Sequence, residues 1–494
     1  MEYTSTRNNK LRVSSAYAIS NGISSDGGLF VPTKVVHLSD EQIKSMADMS
    51  YQERAVFILS LYLTDFTKDE IEYAVNNAYS TEKFISDKIA PIKKISNERY
   101  ILELFGGPTC AFKDMALQLL PYLMSLSIKK ESSSKETIIL TATSGDTGKA
   151  ALEGFKDVEN TKIFVFYPGS GVSVMQKLQM ETQEGENVYV YGIEGNFDDA
   201  QTAVKTVFTD EKTKKALEEN NKSFSSANSI NWGRLLPQIV YYFSAYVEMF
   251  KNNEIEFGEK VNVAVPTGNF GNILAAYYAY KMGLPIKRLL CASNKNNILT
   301  DFIKTGVYDK NRPFYTTASP SMDILISSNL ERLLFELYDH DDEKVKNLMT
   351  ELKNNGKYKI EDEILEKLDE VFSAEFASEE EMNQAILETY KKDGYLIDTH
   401  TAVAVNCLSK SNLFGEKTII ASTASAFKFP KSVLSALSQD SDLSDLEALK
   451  KLSKFSNLEI PKPLQNLDKK GVRFDKVLKN ASIKDKILED LNIK

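Results

Sequence analysis

The sequence predicts an α/β fold in which parallel strands alternate with helices, and two observations carry this prediction. Short β-branched or apolar runs recur between about residues 96 and 300, namely TIILTAT, KIFVFYP, NVYVYGI, VNVAVPT and RLLCAS. Amphipathic stretches such as FDDAQTAVKTVF and LLPQIVYYFSAYVEMF separate these runs. Strands that alternate with helical stretches are typical of βαβ units on a mainly parallel sheet.

The pattern divides the chain into three parts. Residues 1–95 are predicted to form a mostly helical N-terminal cap, from which Thr6 and Arg7 could reach a site. Residues 96–430 are predicted to form the catalytic α/β body, with an acidic helical insertion near 340–385. Within the body, ASPSMDILISSNLERLLFEL predicts a helix entered through Ser319 to Ser321. Residues 431–494 are charged and predict a helical C-terminal extension.

Composition narrows the classes of function. The 494 residues are 42% hydrophobic and 26% charged, as in an ordinary globular protein, and the net charge of −9 argues against a nucleic-acid surface. We find no secretory signal and no apolar run that could span a bilayer, so we expect a cytoplasmic protein without a membrane partner. The three cysteines and three histidines are scattered, which predicts neither disulfides nor a metal site.

A lysine lies just after a tight turn, at the start of a predicted helix. In residues 100–117, YILELFGGPTCAFKDMAL, an apolar run ends in a turn with two glycines and a proline, and Lys113 follows. Open α/β sheets bind ligands at the carboxyl ends of their parallel strands. We therefore consider Lys113 a candidate for chemistry, although an isolated lysine at a helix start is more often a solvated surface group.

Two further predicted strands end in glycine-rich turns that open helices. Residues 144–148, SGDTG, follow one strand, and residues 268–272, GNFGN, follow another. Main-chain N–H groups converge at the start of a helix and bind anions, and glycine lets a phosphate approach closely. A plain tight turn explains either loop alone. Three such turns, one of them with a lysine, predict a ligand site.

Nucleotide-binding motifs do not account for these loops. A P-loop requires a glycine where Thr143 stands and a serine or threonine where Ala150 stands. Neither loop has the G-x-G-x-x-G spacing of a dinucleotide site. The strand KTIIAST ends in Ser422 and Thr423, and such a hydroxyl is either a site residue or a helix cap.

Taken in order, the motifs resemble those of the threonine synthases, pyridoxal-phosphate enzymes of fold type II, the tryptophan-synthase-β-like fold. The resemblance runs from about residue 3 to residue 430. VPTGNFGN and GPTCAFKD are specific to the family, whereas SGDTG-like loops occur across the fold. The other matching motifs are SDGGLFVP, GNFDDAQ, NSINWGRLLPQIVYY, ASNKNNILTDFI, SPSMDILISSN, DTHTAVA and STASAFKFP.

This resemblance implies a body of two three-layer α/β subdomains with mainly parallel sheets, and pyridoxal 5′-phosphate as the cofactor. Lys113 matches the family's Schiff-base lysine, and Thr423 matches the residue whose hydroxyl faces the pyridine nitrogen. The loop that holds the cofactor phosphate is matched by Gly268, Asn269, Phe270, Gly271 and Asn272. The resemblance assigns substrate binding to Ser144, Gly145, Asp146, Thr147, Asn228, Arg234 and Lys428.

The implied reaction converts O-phospho-L-homoserine and water to L-threonine and phosphate. It proceeds by γ-elimination and addition of water at Cβ, with the released Lys113 as the mobile base. The expected protein is a monomer or homodimer. Two alternatives stay open: a related β- or γ-eliminating lyase that releases a keto acid and ammonia, and a non-catalytic scaffold of the same fold.

The sequence departs from the family pattern at four places. Gly106 stands where a histidine usually precedes Gly-Pro-Thr, and Ser425 with Ala426 stands where His-Pro is usual. Lys149 replaces a small residue, and Thr399 stands where a proline is common. The departures at Gly106 and Ser425 affect substrate positioning more than cofactor binding.

Overall fold

The structure is a computed structural model that describes residues 1–131, 135–143, 145–169, 172–195, 197–438 and 442–493. The strands in this part of the chain are β1 (Tyr3–Ser5), β2 (Asn8–Val13), β3 (Phe30–Pro32), β4 (Ile92–Lys94), β5 (Arg99–Glu103), β6 (Glu136–Ala142), β7 (Thr161–Pro168), β8 (Val188–Ile193), β9 (Lys222–Ser225), β10 (Val261–Pro266), β11 (Ile286–Ser293), β12 (Val307–Asp309), β13 (Lys357–Lys359), β14 (Phe372–Phe376), β15 (Thr418–Ser422) and β16 (Val477–Leu478).

The helices follow the same order along the chain. They are α1 (Ser15–Asn21), α2 (Asp40–Ser45), α3 (Tyr51–Tyr62), α4 (Lys68–Ala78), α5 (Asp114–Leu117), α6 (Leu120–Lys130), α7 (Asp146–Phe155), α8 (Val174–Glu181), α9 (Phe197–Thr209), α10 (Glu211–Glu219), α11 (Trp232–Lys251), α12 (Gly271–Lys281), α13 (Ile298–Thr305), α14 (Leu330–Leu337), α15 (Asp342–Asn355), α16 (Asp362–Val371), α17 (Glu379–Asp393), α18 (Thr399–Lys410), α19 (Pro430–Ala436), α20 (Asp445–Ser456) and α21 (Ile483–Asp490).

Two mainly parallel sheets form the body of the molecule. The larger sheet has the strand order β14-β11-β10-β15-β5-β4, and only β4 runs antiparallel to its neighbour. The smaller sheet has the order β16-β8-β7-β6-β9 and is parallel throughout. The predicted α/β class with mainly parallel sheets is therefore confirmed.

Both faces of the central strands are buried, and this explains the continuous apolar runs in the sequence. In β6, Ile138 and Leu140 belong to the core that contains Val204 of α9, whereas Ile139 between them packs in the core that contains Leu152 of α7. Successive side chains of a strand point to opposite faces. Each sheet is thus the middle layer between two layers of helices.

Residues 1–78 combine a small sheet with four helices. β1 pairs antiparallel with both β2 and β3. Three of the helices begin with a capping box, in which Ser39, Ser50 and Thr67 each bind the main chain three residues on. Local sequence therefore fixes where these helices start.

The prediction that a helix begins between Ser319 and Ser321 is wrong about where the helix starts. Only a short 3-10 turn, Pro320–Met322, lies there, and the helix begins at Leu330. The segment between them contacts Gly268, which follows β10 of the large sheet, through Ser321 and Ser327. The domain boundaries near residues 95 and 430 stay a prediction.

Candidate active site

The turn before Lys113 is held by a buried carboxylate. Asp114 accepts hydrogen bonds from the Thr109 N–H group at 2.8 Å and from the Thr109 hydroxyl at 2.7 Å. A Cβ atom on Gly107 would lie 2.6 Å from the Asp114 carboxylate, so this position requires glycine. The Phe112 N–H group donates to the Thr423 carbonyl at 2.8 Å, which places Lys113 beside the carboxyl end of β15.

The Lys113 amine lies in a polar and mostly dry environment. Its Nζ atom is 3.3 Å from Ser321 Oγ and 3.6 Å from Asp146 Oδ2, and 11% of the side chain is exposed. Burial lowers the pKa of the amine, and the nearby cations Lys428 and Arg234 lower it further, against the attraction of Asp146. Such an amine is a better nucleophile and base at neutral pH than an exposed lysine.

Asp146, at the start of α7, joins the smaller sheet to the larger one. Its carboxylate contacts Lys428 Nζ at 2.6 Å and accepts a hydrogen bond from Gln176 Nε2 at 2.9 Å. Lys428 is buried and also donates to the Thr109 carbonyl at 3.0 Å. Burial would raise the pKa of Asp146, but Lys428 and Lys113 hold it well below its ordinary value. Asp146 is therefore charged.

Residues 268–272, which we name the 268–272 loop, connect β10 to α12. Among the described residues, no oxygen accepts a hydrogen bond from the main-chain N–H groups of this loop. Phe270 adopts a φ of +62°, a left-handed conformation that is uncommon for a bulky residue. The side-chain Oδ1 atom of Asn272 accepts hydrogen bonds from the Tyr241 and Tyr242 hydroxyls at 2.6 and 2.5 Å, whereas the buried Nδ2 atom of the same side chain has no described partner.

Ser321 lies between Lys113 and the 268–272 loop. Its hydroxyl contacts Lys113, and its carbonyl oxygen would lie 2.5 Å from a Cβ atom placed on Gly268. The Ser321 N–H group donates to His400 Nε2 at 3.2 Å, while His400 Nδ1 lies 2.9 Å from Asp398. The His400 ring thus links Asp398 to Ser321 and fixes the position of Ser321, a residue that the sequence indicated only as a helix entry.

The remaining predicted site residues differ in how close they lie to Lys113. Arg234 is buried and lowers the pKa of Lys113, and its Nε atom has no described partner. Gly145 has a φ of +141° and approaches Gln176 so closely that no side chain fits. Thr147 is half-buried. Among the described residues, Asn228 forms hydrogen bonds with Ser226 and Asn231 and with none of Lys113, Asp146 and Lys428. Ser144 lies outside the described residues.

Comparison with known proteins identifies the family. Residues 2–79 match the family model "Threonine synthase N terminus", and residues 91–423 match the model "Pyridoxal-phosphate dependent enzyme". The chain is 38% identical to the threonine synthase of Schizosaccharomyces pombe, over 90% of each chain. The chain belongs to the threonine synthase family. The family's cofactor is pyridoxal 5′-phosphate, as predicted.

Two further relatives were compared with the chain, one a solved structure and the other a longer protein. The crystal structure of pyridoxal-phosphate-bound threonine synthase from Brucella melitensis has a TM-score of 0.88 and 36% identity, over 99% of this chain and 98% of that one. The threonine synthase-like 1 protein of Homo sapiens is 44% identical over 85% of this chain. This chain spans 57% of the length of that relative.

The residues present fit the cofactor of the family. The phosphate group is an anion that needs several N–H donors and no competing acceptors. The free N–H groups of the 268–272 loop and the unpartnered Asn272 Nδ2 atom provide such donors. The Thr423 hydroxyl has no described hydrogen-bond partner, and Lys113 provides an amine of lowered pKa.

The four departures from the family pattern have local structural partners. A Cβ atom on Gly106 would lie 3.1 Å from the Ile85 side chain of the N-terminal segment. Ser425 is buried, and its hydroxyl accepts a hydrogen bond from the Phe427 N–H group. The other two departures are Lys149, which pairs with Glu153 at 2.8 Å, and Thr399, which is the first residue of α18 and is buried.

Proposed function

We propose that the protein is a threonine synthase that converts O-phospho-L-homoserine and water to L-threonine and phosphate. The observation that supports this most is the convergence of three groups beside Ser321 and the strand ends of one sheet. They are the Lys113 amine, the Thr423 hydroxyl and the free N–H groups of the 268–272 loop. A pyridoxal-phosphate enzyme needs a lysine of lowered pKa beside a site that binds an anion.

Three parts of the chain would hold the cofactor. Lys113 would bind it covalently, the 268–272 loop would bind its phosphate, and the Thr423 hydroxyl would face the ring nitrogen. A hydroxyl partner leaves that nitrogen largely unprotonated. When bound, pyridoxal 5′-phosphate supplies a ring that accepts electron density released at the substrate Cα.

Lys113 would be the mobile base of the reaction. Displaced by the substrate amine, it would remove the proton at Cα, and the same amine would then serve at Cβ. The Ser321 hydroxyl and the Asp146 carboxylate, at 3.3 and 3.6 Å, would orient the released amine and stabilise it when it holds a proton. One amine held by two oxygens can thus move protons on neighbouring carbons.

The substrate's two anionic ends would meet different groups. The start of α7, at residues 144–147, would receive the α-carboxylate, with Asn228 and Arg234 as further candidates. Lys428 would contribute to binding of the substrate phosphate. An ammonium group has three N–H donors. Two of those of Lys428 contact Asp146 and the Thr109 carbonyl, so the third N–H group is available to a ligand. Fixed N–H donors of this kind stabilise the leaving phosphate.

A single spectroscopic and product experiment tests the proposal. The purified protein should absorb in the near-visible range, and O-phospho-L-homoserine should change this band while phosphate and threonine appear together. Lys113→Ala should lose the band and the activity. Lys149→Met removes another buried lysine, one that pairs with Glu153, and should keep the band. A colourless wild-type protein would instead indicate a non-catalytic scaffold.

An eliminating lyase is the second candidate, and the departures at Gly106 and Ser425 favour testing it. Neither side chain can supply the imidazole that the family usually has at these positions, so the partition between water addition and release of the intermediate could differ. The lyase would release 2-oxobutanoate and ammonia in amounts equal to the phosphate. Threonine equal to the phosphate supports the synthase.

We also propose a cytoplasmic location and a monomer or homodimer. Among the described residues, no helix is long and apolar enough to cross a membrane. In that same part of the chain, no group of three or more His, Cys, Asp or Glu residues could hold a metal ion.

A further inference from the structure

The carbonyl groups of the 268–272 loop are bound by a segment that precedes α14. The Ser327 hydroxyl donates to the Gly268 carbonyl at 2.7 Å. The Asn269 carbonyl accepts two hydrogen bonds from Asn329, one from its N–H group at 3.1 Å and one from Nδ2 at 3.0 Å. Ser327 and Asn329 are both buried. All three hydrogen bonds are made to main-chain oxygens of the loop, and none of them is part of a helix or a sheet.

Holding these carbonyls determines where the N–H groups of the loop can point. In a turn with one left-handed residue, successive N–H groups line a concave face that binds anions. Phe270 supplies the left-handed residue, with φ +62° and ψ −2°. Because Gly268 and Asn269 have their oxygens bound on one side, the N–H groups that follow them stay available on the other. A loop free to rotate its peptides would lose this arrangement.

A buried arginine holds Asn329 in turn. Arg332 Nη1 donates to Asn329 Oδ1 at 2.5 Å. Its Nε atom donates to the Phe30 carbonyl at 3.0 Å, and Nη2 donates to the Phe30 and Ile230 carbonyls at 2.9 and 2.6 Å. Since β3 contains Phe30, this fully buried guanidinium links the N-terminal segment to the residue that orients the loop.

The neighbouring residue strengthens the same link. Glu331 accepts a hydrogen bond from the Thr6 hydroxyl at 2.6 Å and two from the Arg7 guanidinium at 2.8 and 2.7 Å. Glu331 is 5% exposed, so these are mostly desolvated charge-assisted bonds. Thr6 and Arg7 thus reach the start of α14 instead of the reacting groups.

We propose that Ser327, Asn329 and Arg332 are positioning residues for the cofactor phosphate, and that residues 1–32 support cofactor binding through Arg332 and its neighbour Glu331. This inference rests on the proposed function, because it takes the 268–272 loop as the phosphate site. It predicts that weakening these contacts reduces affinity for the phosphate end of the ligand and leaves the aldehyde and ring contacts unchanged.

The test compares two ligands that differ only in the phosphate. Apoprotein is titrated with pyridoxal 5′-phosphate and with pyridoxal, and Kd is read from the near-visible band. Each of Ser327→Ala and Asn329→Ala removes one side-chain hydrogen bond to the loop, and the loss of about 1 kcal/mol net should raise Kd for pyridoxal 5′-phosphate about fivefold in each variant. Kd for pyridoxal should stay within about twofold of wild type. Ser327→Ala does not disturb Arg332, so it decides the question if Asn329→Ala folds poorly.

Two more variants complete the design. Asn187→Ala is the matched control, because its Nδ2 atom binds the Phe155 and Thr161 carbonyls at 2.8 and 3.0 Å, far from the loop in sequence and in the other sheet. It should leave both affinities unchanged. Arg7→Met tests the contribution of the N-terminal segment and should weaken pyridoxal 5′-phosphate binding selectively. An unchanged affinity in Arg7→Met would overturn that part of the proposal.

The outcomes separate this inference from the proposed function. If wild type binds pyridoxal as tightly as pyridoxal 5′-phosphate, the loop is not a phosphate site and the proposed function fails with it. If wild type prefers the phosphate and Ser327→Ala keeps the full preference, only the positioning role is refuted. Equal losses for both ligands would indicate a general structural role and would also refute it.

Discussion

Asp114 gives the stability of the protein a pH dependence that one substitution should remove. The carboxylate is fully buried, and burial raises its pKa to about 6 from an ordinary 3.8. The folded state therefore binds this proton more tightly than the unfolded chain, so stability rises as the pH falls from above 6 towards 4. At 1.36 kcal/mol per pH unit, the full difference is about 3 kcal/mol.

The substitution is Asp114→Asn, which keeps the size of the side chain and does not titrate. Between pH 8 and pH 5, the wild type should gain about 1.4 kcal/mol relative to the variant, because a pKa of about 6 is passed while the ordinary value is not yet reached. For a domain of about 200 residues this is about 4 °C in the first unfolding transition. Both proteins are measured without cofactor, since a bound ligand adds its own pH dependence.

An acidic residue of opposite behaviour serves as the control. Hydrogen bonding to Lys484 lowers the pKa of Asp210 to about 2, so its contribution is lost only below its ordinary pKa. The stability of Asp210→Asn, plotted against pH, should therefore run parallel to that of the wild type from pH 8 to pH 5. Parallel curves for Asp114→Asn as well would show that the buried carboxylate does not titrate in this range, and the reasoning would be refuted.

Three further predictions concern the residues around Asp146. Lys428→Met should lower the free energy of unfolding by about 3 to 5 kcal/mol, measured in urea, because it leaves a buried carboxylate without its nearest cation; a loss below about 1 kcal/mol would contradict the buried pair. Asp146→Asn combined with Lys428→Met should cost less than the sum of the two single changes, as a double-mutant cycle would show. Gly145→Ala should raise KM for O-phospho-L-homoserine at least about tenfold, since its Cβ atom would press on Gln176; an unchanged KM would exclude the start of α7 from substrate binding.

The central strands could be predicted from the sequence because both of their faces are buried. Runs such as TIILTAT and VNVAVPT match β6 and β10 within a residue or two. The edge strands could not be predicted in this way. β14, with the sequence FSAEF, and β9, with KSFS, are short and half polar, and they pair only because a neighbouring strand offers free N–H and C=O groups.

The candidate site was predictable in part for a similar reason. Residues that follow the carboxyl ends of neighbouring strands lie close in space. Lys113 comes after β5 and Thr423 directly after β15, and these two strands pair. Ser321 and Asn329 follow no strand in that way. They reach the site through an irregular segment, and no spacing in the sequence encodes its path. The misplaced helix start at Ser319 to Ser321 has the same origin.

The net charge of −9 gives no indication of the charge at the candidate site. The buried cations Lys428 and Arg234 lie near the mostly buried Lys113 amine, together with the buried carboxylates of Asp146 and Asp114. Buried charges of this kind cost stability in the free protein wherever their pairing is incomplete. An anionic ligand offsets this cost, so its binding also stabilises the fold.

The two cations also link ligand binding to the chemistry proposed for Lys113. Lys428 and Arg234 lower the pKa of the Lys113 amine, which favours the neutral form that can act as a nucleophile. Anions bound beside these cations weaken their effect, so the pKa of Lys113 rises when phosphate and carboxylate groups are present. A higher pKa makes the amine a stronger base, which favours the proposed removal of the proton from the substrate Cα. The neighbouring cations and the anions of a ligand would therefore shift the pKa of the Lys113 amine in opposite directions.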